Sequence, residues 1–278
     1  MRVEYGGRVS NCKREALSAA VALCMTEPQP LTATTIVVTR PAHQAGPLCR
    51  LIEAQGGRAI TFPALEISAT DSPQPLLQRL QQFDMAIFIS ANAVEYATAH
   101  ISEIPPALTL AAVGKQTAAL LRHHYRHAIL TPATQADSES LLALPTLQQV
   151  TGKQILIVRG EGGRELLAET LVQRGGHVEY AEVYRRARPD GNLTSLQTQQ
   201  PIDLLTATSN ASLQNLYDMA TVPQRGWLLQ LPLIVIGQRC ATLAAQLGFR
   251  HPATAAHDAS DAGLLQAMLR WRHHHPIH

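Results

Sequence analysis

The chain has 278 residues, enough for two domains that each have their own hydrophobic core. Its 23 Lys and Arg residues against 21 Asp and Glu residues leave a formal charge of +2, which argues against a general attraction to nucleic acid. The cysteines lack the spacing of a zinc motif or a disulfide framework, so we expect a reducing, cytoplasmic location; they are Cys12, Cys24, Cys49 and Cys240. No apolar run reaches the roughly 20 residues of a membrane span.

The two ends of the sequence differ from the rest of the chain. Basic residues precede an apolar stretch at 16–25 in the outline of an export signal, but Glu4 and Glu15 do not fit such a signal and no cleavage site follows. We expect residues 1–33 to be a disordered extension without a function, or to follow from a start codon placed too far upstream. We expect the histidine-rich segment 271–278 to be a solvated tail rather than a metal site.

The first half of the sequence alternates predicted strands with predicted helices. Short β-branched and apolar runs end at turn residues, and amphipathic stretches follow them. Pro41 suits the first turn of a helix, and Gly56 and Gly57 end that helix. The predicted strands are 35–39, 59–65, 84–89, 110–113 and 129–130. A turn rich in Ser, Thr and Asp at 131–140 opens a further helix.

The stretch 151–189 is the most informative part of the sequence. A buried strand at 154–158 leads into a glycine-rich turn at 159–164. We expect a helix after this turn, with one apolar face formed by Leu166, Leu167, Leu171 and Val172. A second strand at 178–184 follows and ends at Tyr184 in a run of arginines. Backbone N–H groups at a helix start, with arginines beside them, favour a carboxylate or phosphate ligand.

Features of the first half recur in the second half at a fixed spacing. Residues that match at an offset of 119 are Arg40 with Arg159, Gly56-Gly57 with Gly175-Gly176, Asp84 with Asp203, and Ser90 with Ser209. At an offset of 123 the matches are Gly114 with Gly237 and Leu141-Leu142 with Leu264-Leu265. This order indicates an internal duplication of one βαβαβα unit. We predict two similar three-layer α/β/α lobes with mostly parallel sheets, around a cleft. The residues alone leave open whether the copies exchange their first βα units.

Candidate ligand-binding residues lie where the predicted strands end, because open α/β sheets bind ligands beyond the carboxyl ends of their strands. Most are small, hydroxylic or basic, and each group precedes a helix that favours anions. The predicted substrate-binding residues are Arg40, Ser90, Ala91, Asn92, Gly114, Lys115, Thr117, Arg159, Gly160, Gly162, Gly163, Arg164, Thr208, Ser209, Asn210, Gly237, Gln238 and Arg239. Each taken alone is equally typical of a helix cap or a turn. Taken together they predict a polyanionic small-molecule ligand.

The sequence lacks the common catalytic signatures. It has no GxGxxG, no Walker A loop, no GxSxG, no HExxH and no acidic cluster for Mg²⁺. Hydroxyl groups therefore remain for proton transfer, and Tyr184 is the candidate because cationic side chains follow it. An ordinary tyrosine at the edge of a strand is the alternative interpretation.

A series of short motifs resembles the uroporphyrinogen-III synthase family over residues 34–270. The motifs, in order, are VTRP at 38–41, FISANAV at 88–94, VGKQTA at 113–118, the run at 155–186, TATSNASLQNL at 206–216 and IGQRCATLAAQLG at 236–248. The resemblance implies a lyase that closes hydroxymethylbilane without a cofactor or metal, inverting ring D and releasing water. It implies a monomer with transient contact to hydroxymethylbilane synthase, and it makes Tyr184 the catalytic residue. Residues 237–240 depart from the family, which often has GPTT there, and so lack the threonine hydroxyls of that motif.

The resemblance also implies where the chain divides into lobes. The duplication alone would have placed the boundary between the lobes near residue 150. Lobe one is then 34–64 with 189–270, lobe two is 68–183, and strands at 65–67 and 184–188 connect them. Two other functions remain open. A two-lobed binding protein for an anionic metabolite is the alternative, although an exported one needs a better signal peptide. A glycosyltransferase-like enzyme needs a nucleotide-phosphate motif, which the sequence lacks.

Overall fold

The computed structural model describes residues 29–70, 74–133, 135, 137–199 and 201–275. The chain divides into two compact units, each with a parallel or mostly parallel sheet. Unit 1 comprises Met1–Leu65 with Pro189–His278, and unit 2 is Glu66–Arg188. The chain therefore leaves unit 1 after its first βαβ segment and returns to it after completing unit 2.

Unit 1 contains a five-stranded sheet in which every neighbouring pair is parallel. Its strands are β1 (Thr35–Val38), β2 (Arg58–Thr61), β9 (Leu204–Ala207), β10 (Leu233–Ile236) and β11 (Thr254–Ala256), in the order β11-β10-β9-β1-β2. Its helices are α1 (Ala42–Glu53), α8 (Thr194–Gln197), α9 (Asn210–Met219), α10 (Val222–Leu228), α11 (Gly237–Leu247) and α12 (Asp261–His274). Successive strand residues point to opposite faces, so Ile36 packs in one buried cluster with α1 and α12, while Val37 packs in the other with α8, α9 and α11.

Unit 2 contains a six-stranded sheet in the order β3-β8-β7-β4-β5-β6. Its strands are β3 (Glu66–Ala69), β4 (Met85–Phe88), β5 (Thr109–Ala112), β6 (Ile129–Leu130), β7 (Gln154–Gly160) and β8 (His177–Ala187). Its helices are α2 (Gln74–Leu77), α3 (Ala91–Thr98), α4 (Lys115–His124), α5 (Ser138–Leu142), α6 (Pro145–Gln148) and α7 (Leu166–Gln173), with a short 3-10 turn at Leu80–Gln82. Among the described strands of this sheet, only β3, at the edge, runs antiparallel to its neighbour. Helices cover both faces, as the alternation of strands and helices predicts.

The two sheets repeat one another in register, which agrees with the predicted duplication. In unit 1 Ile36 pairs with Leu204, and in unit 2 Ile155 pairs with Met85. The offset of 119 residues carries Ile36 onto Ile155 and Met85 onto Leu204. The first βα segment of each copy therefore pairs with the later strands of the other copy. The copies have exchanged these segments, which answers the question that the residues alone left open.

The aspartates that match at this offset have the same structural role in both units. Asp203 accepts a hydrogen bond from the backbone N–H of Thr35 at 2.7 Å, and Asp84 accepts one from that of Gln154 at 2.8 Å. Each carboxylate thereby joins the starts of two neighbouring strands. The Gln154 N–H, followed by the nearby lysine ammonium, holds the pKa of Asp84 below its usual value.

The predicted strand at 59–65 is shorter in the structure. It ends at Thr61 in unit 1, and β3 begins at Glu66 in unit 2. Pro63 lies between them, and because proline has no N–H group it cannot donate to a strand ladder. The segments expected as connecting strands, 65–67 and 184–188, lie largely in β3 and β8, which pair antiparallel at the edge of the unit 2 sheet.

Two boundaries and the buried face of one helix also differ from expectation. Leu31 is fully buried in the core of unit 1, so the folded part begins before residue 34, while residues 1–28 lie outside the described part of the chain. The last helix continues to His274, into the predicted tail. Helix α7 buries Leu167, Ala168 and Leu171 and leaves Leu166 and Val172 exposed, because its apolar face is turned from the predicted one.

Candidate functional site

Unit 2 contains a cavity of about 310 Å³ at the carboxyl ends of its strands. The cavity brings together seven of the residues predicted from the sequence, which are Ser90, Arg159, Gly160, Gly162, Gly163, Arg164 and Tyr184. It also contains four polar side chains that the sequence prediction did not assign, Ser138, Glu161, Tyr180 and Arg186. Arg186 could have been found, because two residues after Tyr184 on a strand is a position on the same face. Ser138 and Tyr180 lie in local sequence patterns that many proteins share, so the sequence alone does not identify them as site residues.

The Tyr184 side chain is buried, with 2% of its surface exposed, and its hydroxyl has two polar neighbours. Its Oη lies 3.1 Å from Oγ of Ser90 and accepts a hydrogen bond from Nη2 of Arg186 at 2.9 Å. The Tyr96 ring stacks on the Tyr184 ring with centroids 5.8 Å apart. The phenol is therefore held by packing on one side and by polar groups at its tip.

An irregularity in the sheet determines the direction of Tyr184. The pairing of β7 with β8 shifts by one residue between Glu182 and Tyr184, which leaves Val183 as the extra residue of a β-bulge. In a regular strand Tyr180 and Tyr184 would lie on the same face. Here Tyr184 packs in the same buried cluster as Val183, whereas Tyr180 packs on the other face of the sheet.

Gly160 lies against the Tyr184 ring and leaves room for it. A β-carbon at Gly160 would come within 2.5 Å of Cε2 and 2.6 Å of Cζ of that ring. The residue lies at the end of β7, so its role is to allow this close approach. The sequence predicted Gly160 as a contact for a ligand, and the structure shows it in contact with the tyrosine.

The sequence placed Arg159 in the glycine-rich turn, whereas the structure places it in a strand and buries it. It lies within β7 and is 2% exposed. Its guanidinium donates to the backbone carbonyls of Gly160 (3.2 Å) and Gly162, and to the carboxylate of Glu165 at 3.1 Å. These contacts hold the loop after β7 in place, so the predicted role of Arg159 as a direct anion ligand does not fit its position.

Tyr180 completes the polar cluster around Arg159. The Arg159 guanidinium carbon lies 4.5 Å from the Tyr180 ring centroid, and the Tyr180 hydroxyl donates a hydrogen bond to Glu165. Burial, followed by the neighbouring Glu165, raises the pKa of Tyr180 to about 12. The hydrogen bond from Tyr180 in turn lowers the pKa of Glu165. Tyr180 is therefore neutral at physiological pH.

The loop between β7 and α7 uses some of its N–H groups internally. The N–H of Glu161 donates to the Tyr184 carbonyl at 2.8 Å, and the N–H of Gly162 donates to the Glu182 carboxylate at 3.2 Å. Helix α7 begins at Leu166, after the glycine-rich turn, as the sequence predicted. Arg164 is exposed at the edge of the cavity and is the residue of this loop best placed to bind an anion.

Of the predicted residues that follow β4 and β5, Ser90 lines this cavity, whereas Ala91, Asn92, Gly114, Lys115 and Thr117 do not. Ser90 caps α3 by accepting a hydrogen bond from the Ala93 N–H at 3.1 Å, and Ala91 and Asn92 are the first residues of that helix. Gly114 precedes α4, whose residue Lys115 is exposed and whose residue Thr117 is buried.

The predicted residues of unit 1 lie at the carboxyl ends of β1, β9 and β10. Arg40 forms an ion pair with Asp261 at the start of α12 and also donates to the Ala259 carbonyl at 3.3 Å. Ser209 forms a capping box with Ser212, so its hydroxyl has the helix-capping role named above as the alternative. The remaining residues, beside Ser209 or in the first turn of α11, are Thr208, Asn210, Gly237, Gln238 and Arg239.

Cys240, in the first turn of α11, is buried, and burial raises the pKa of its thiol to about 11.

Within the ranges that the structure describes, no group of three or more His, Cys, Asp or Glu side chains could hold a metal ion. No helix in that part of the chain is long and apolar enough to cross a membrane.

Comparison with known proteins identifies the family. The family model described as uroporphyrinogen-III synthase HemD matches residues 47–266. The uroporphyrinogen-III synthase of Salmonella typhimurium is 35% identical over 245 residues, covering 84% of this chain and 99% of that protein. The enzyme of the same name from Escherichia coli K12 is 34% identical over 247 residues, with the same coverage of both chains.

Solved structures agree with the fold. A mutant uroporphyrinogen III synthase from the extremely thermophilic bacterium Thermus thermophilus has a TM-score of 0.60 at 17% identity, covering 87% of this chain and 99% of that one. The uroporphyrinogen-III synthetase of Helicobacter pylori 26695 has a TM-score of 0.55 at 16% identity, covering 86% and 99%. The family match and the bacterial relatives together show that this chain belongs to the uroporphyrinogen-III synthase family.

Proposed function

We propose that this protein is a uroporphyrinogen-III synthase, a lyase that closes hydroxymethylbilane to uroporphyrinogen III with inversion of ring D and loss of water. Besides family membership, one observation carries the proposal: the Tyr184 hydroxyl lies at a cavity in unit 2, between Ser90 and Arg186. A phenol held in this way is a suitable proton donor for a reaction that needs a general acid.

The reaction needs one proton donor and a large amount of positioning. The terminal hydroxyl of the bilane leaves as water, which gives an azafulvene. The substituted carbon of ring D then attacks it, and the resulting spiro intermediate fragments and closes again as the inverted ring. We assign Tyr184 as the acid that assists departure of the hydroxyl. Bringing the two ends of a flexible chain together accounts for the rest of the catalysis.

The substrate carries eight carboxylates, which explains the predicted anion-binding residues. In unit 2 we assign Arg164 to a carboxylate because it is exposed at the cavity. The residues at the strand ends of unit 1 remain proposed substrate contacts. Among them Arg40 is already paired with Asp261, so a carboxylate at that position would compete with an internal partner.

We further propose that the enzyme acts as a monomer in the cytoplasm, with transient contact to hydroxymethylbilane synthase. Such contact is useful because the bilane closes by itself to the type I isomer. The two cysteines in the described part of the chain, Cys49 and Cys240, are unpaired, which fits a reducing compartment.

The test is to supply the purified protein with freshly generated hydroxymethylbilane and to separate the type III and type I products by chromatography. We expect type III product in the presence of the protein. Type I product alone, as in a reaction without protein, would show that the protein binds or ignores the bilane and does not direct its closure.

A further inference from the structure

We propose that Tyr184 is the inner member of a two-hydroxyl proton relay, in which Ser90 delivers the proton to the departing hydroxyl and Arg186 sets the direction of transfer. This inference rests on the proposed function, because it needs a reaction in which a hydroxyl leaves as water. It assigns Ser90 a catalytic role and makes Arg186 a positioning residue.

The hydrogen-bond donors and acceptors at the Tyr184 oxygen determine where its proton can point. A phenol has one O–H and can accept from other donors, whereas an arginine has only donors. Because Arg186 Nη2 lies 2.9 Å from Oη, it occupies an acceptor site, and the phenol proton cannot point toward it. At 3.1 Å either hydroxyl could donate in the contact between Tyr184 and Ser90. The relay takes the phenol as the donor, because a nearly buried O–H needs an acceptor and Ser90 Oγ lies at hydrogen-bonding distance from it.

The same reasoning at Ser90 directs the second proton. Its Oγ accepts from the Ala93 N–H at 3.1 Å, as the cap of α3, and it can accept a second hydrogen bond from Tyr184. Its own proton then points away from both groups. Ser90 is partly exposed and lines the cavity, whereas Tyr184 is almost fully buried. Ser90 is thus the member of the pair that a ligand in the cavity can reach.

The proposed step is balanced as follows. The Ser90 proton moves to the terminal hydroxyl of the bilane, whose C–O bond breaks, and the electron pair leaves with water. The bilane keeps its pyrrole N–H and becomes a protonated, cationic azafulvene. The Tyr184 proton moves to Ser90 Oγ, which leaves a phenolate. After ring closure, a ring carbon loses a proton to restore the pyrrole, and this proton returns through Ser90 to Tyr184. The enzyme therefore ends in its starting state with one water released.

Arg186 supports the intermediate charge state. Its guanidinium carbon lies 5.3 Å from the Tyr184 ring centroid, and its N–H already contacts the oxygen that becomes negative. A hydrogen bond between charged partners is stronger than one between neutral partners, so the contact strengthens as the proton leaves. An interaction that strengthens only during the reaction raises kcat and leaves binding of the substrate unchanged.

The first test separates the hydroxyl of Ser90 from its helix-capping role. Asparagine and threonine both cap helices, but only threonine keeps a hydroxyl that can pass on a proton. We expect Ser90→Asn to lower kcat at least ten-fold, at unchanged KM and thermal stability, and Ser90→Thr to stay within about three-fold of wild type. Equal activity of the Asn and Thr variants would overturn the role of Ser90.

The second test uses Arg186→Gln with Arg185→Gln as its matched control. Both remove one positive charge, but Arg185 follows Tyr184 directly and so lies on the other face of β8. We expect about a ten-fold lower kcat for Arg186→Gln and a wild-type kcat for Arg185→Gln. Equal losses in the two variants would mean that only the general positive charge matters, and would overturn the positioning role of Arg186.

Combination with Tyr184→Phe then tests whether the three groups act together. In a relay, Ser90→Asn and Arg186→Gln lose most of their effect once the phenol oxygen is absent, so the double variants resemble Tyr184→Phe. Multiplicative losses would mean independent roles and would overturn the relay. If wild-type protein forms no type III product, the proposed function itself fails. If it does form this product, these cycles judge the relay alone.

Discussion

Substitution of Gly160 by alanine would test whether the exact position of the Tyr184 ring matters. Gly160 does not have a positive φ, so alanine fits its backbone and the effect is purely steric. The new β-carbon would lie 2.5 Å from Cε2 of the ring, whereas ordinary contacts begin at 3.4 Å. The ring or the strand must therefore move by about 0.9 Å.

A displacement of this size would lengthen the 3.1 Å separation of Tyr184 Oη and Ser90 Oγ beyond hydrogen-bonding distance. Since a misplacement of about 1 Å can cost about 100-fold in rate, we expect Gly160→Ala to lower kcat between ten- and 100-fold. Overpacking should also lower the free energy of unfolding by about 1–3 kcal/mol.

The measurement is kcat for type III product together with thermal denaturation. Gly152→Ala serves as the control, because φ at Gly152 is +73° and no atom of the described residues lies within 4 Å of the added carbon. It should lose about 1 kcal/mol from backbone strain alone and keep its kcat. Wild-type turnover in a folded Gly160→Ala protein would refute the assignment of the Tyr184 position to catalysis.

Four further substitutions test other parts of the site and fold. Tyr184→Phe should lower kcat ten-fold or more with the fold intact, measured by steady-state kinetics and circular dichroism, and unchanged turnover would remove this phenol from the mechanism. Arg164→Gln should raise KM, most at low salt, and an unaltered KM would contradict its role in binding a carboxylate. Arg159→Met should lower the free energy of unfolding by about 1–3 kcal/mol, because buried hydrogen bonds to the loop are lost, and an unaltered Tm would contradict this role. Asp84→Asn should lower Tm at pH 7. The difference should shrink as pH falls below about 3.8, because the folded-state pKa of Asp84 is depressed and its stabilisation disappears on protonation; a pH-independent difference would contradict this.

The sheet architecture could be predicted because the strands are short apolar runs with a repeated spacing. The offset that relates Asp84 to Asp203 in the sequence is also the offset that relates their partners, Thr35 and Gln154, in the structure. The exchange of βα segments could not be derived in this way. Duplicated strands such as those around Ile36 and Ile155 would bury similar side chains in either arrangement, so local pattern does not distinguish the two.

The direction of Arg159 could not be predicted from its local sequence. An arginine followed by glycines is typical of an anion-binding loop. Here the guanidinium turns inward because Tyr180 and Glu182, from the next strand, provide an aromatic face and a carboxylate beside it. These partners lie more than 20 residues away in the sequence, so the inward orientation depends on tertiary packing that periodicity does not record.

The β-bulge places two tyrosines of the same strand, Tyr180 and Tyr184, on opposite faces of the sheet. Period-two alternation predicts Tyr180 and Tyr184 on one face of β8, and an extra residue, Val183, turns the second to the other face. Tyr180 consequently donates to Glu165, and burial and that carboxylate raise its pKa to about 12. Tyr184 instead meets a hydroxyl and a cation, which are the surroundings that a proton donor needs. Deletion of one residue would place Tyr184 on the face of Tyr180 and remove it from Ser90, so the bulge is as necessary to the proposed chemistry as the phenol.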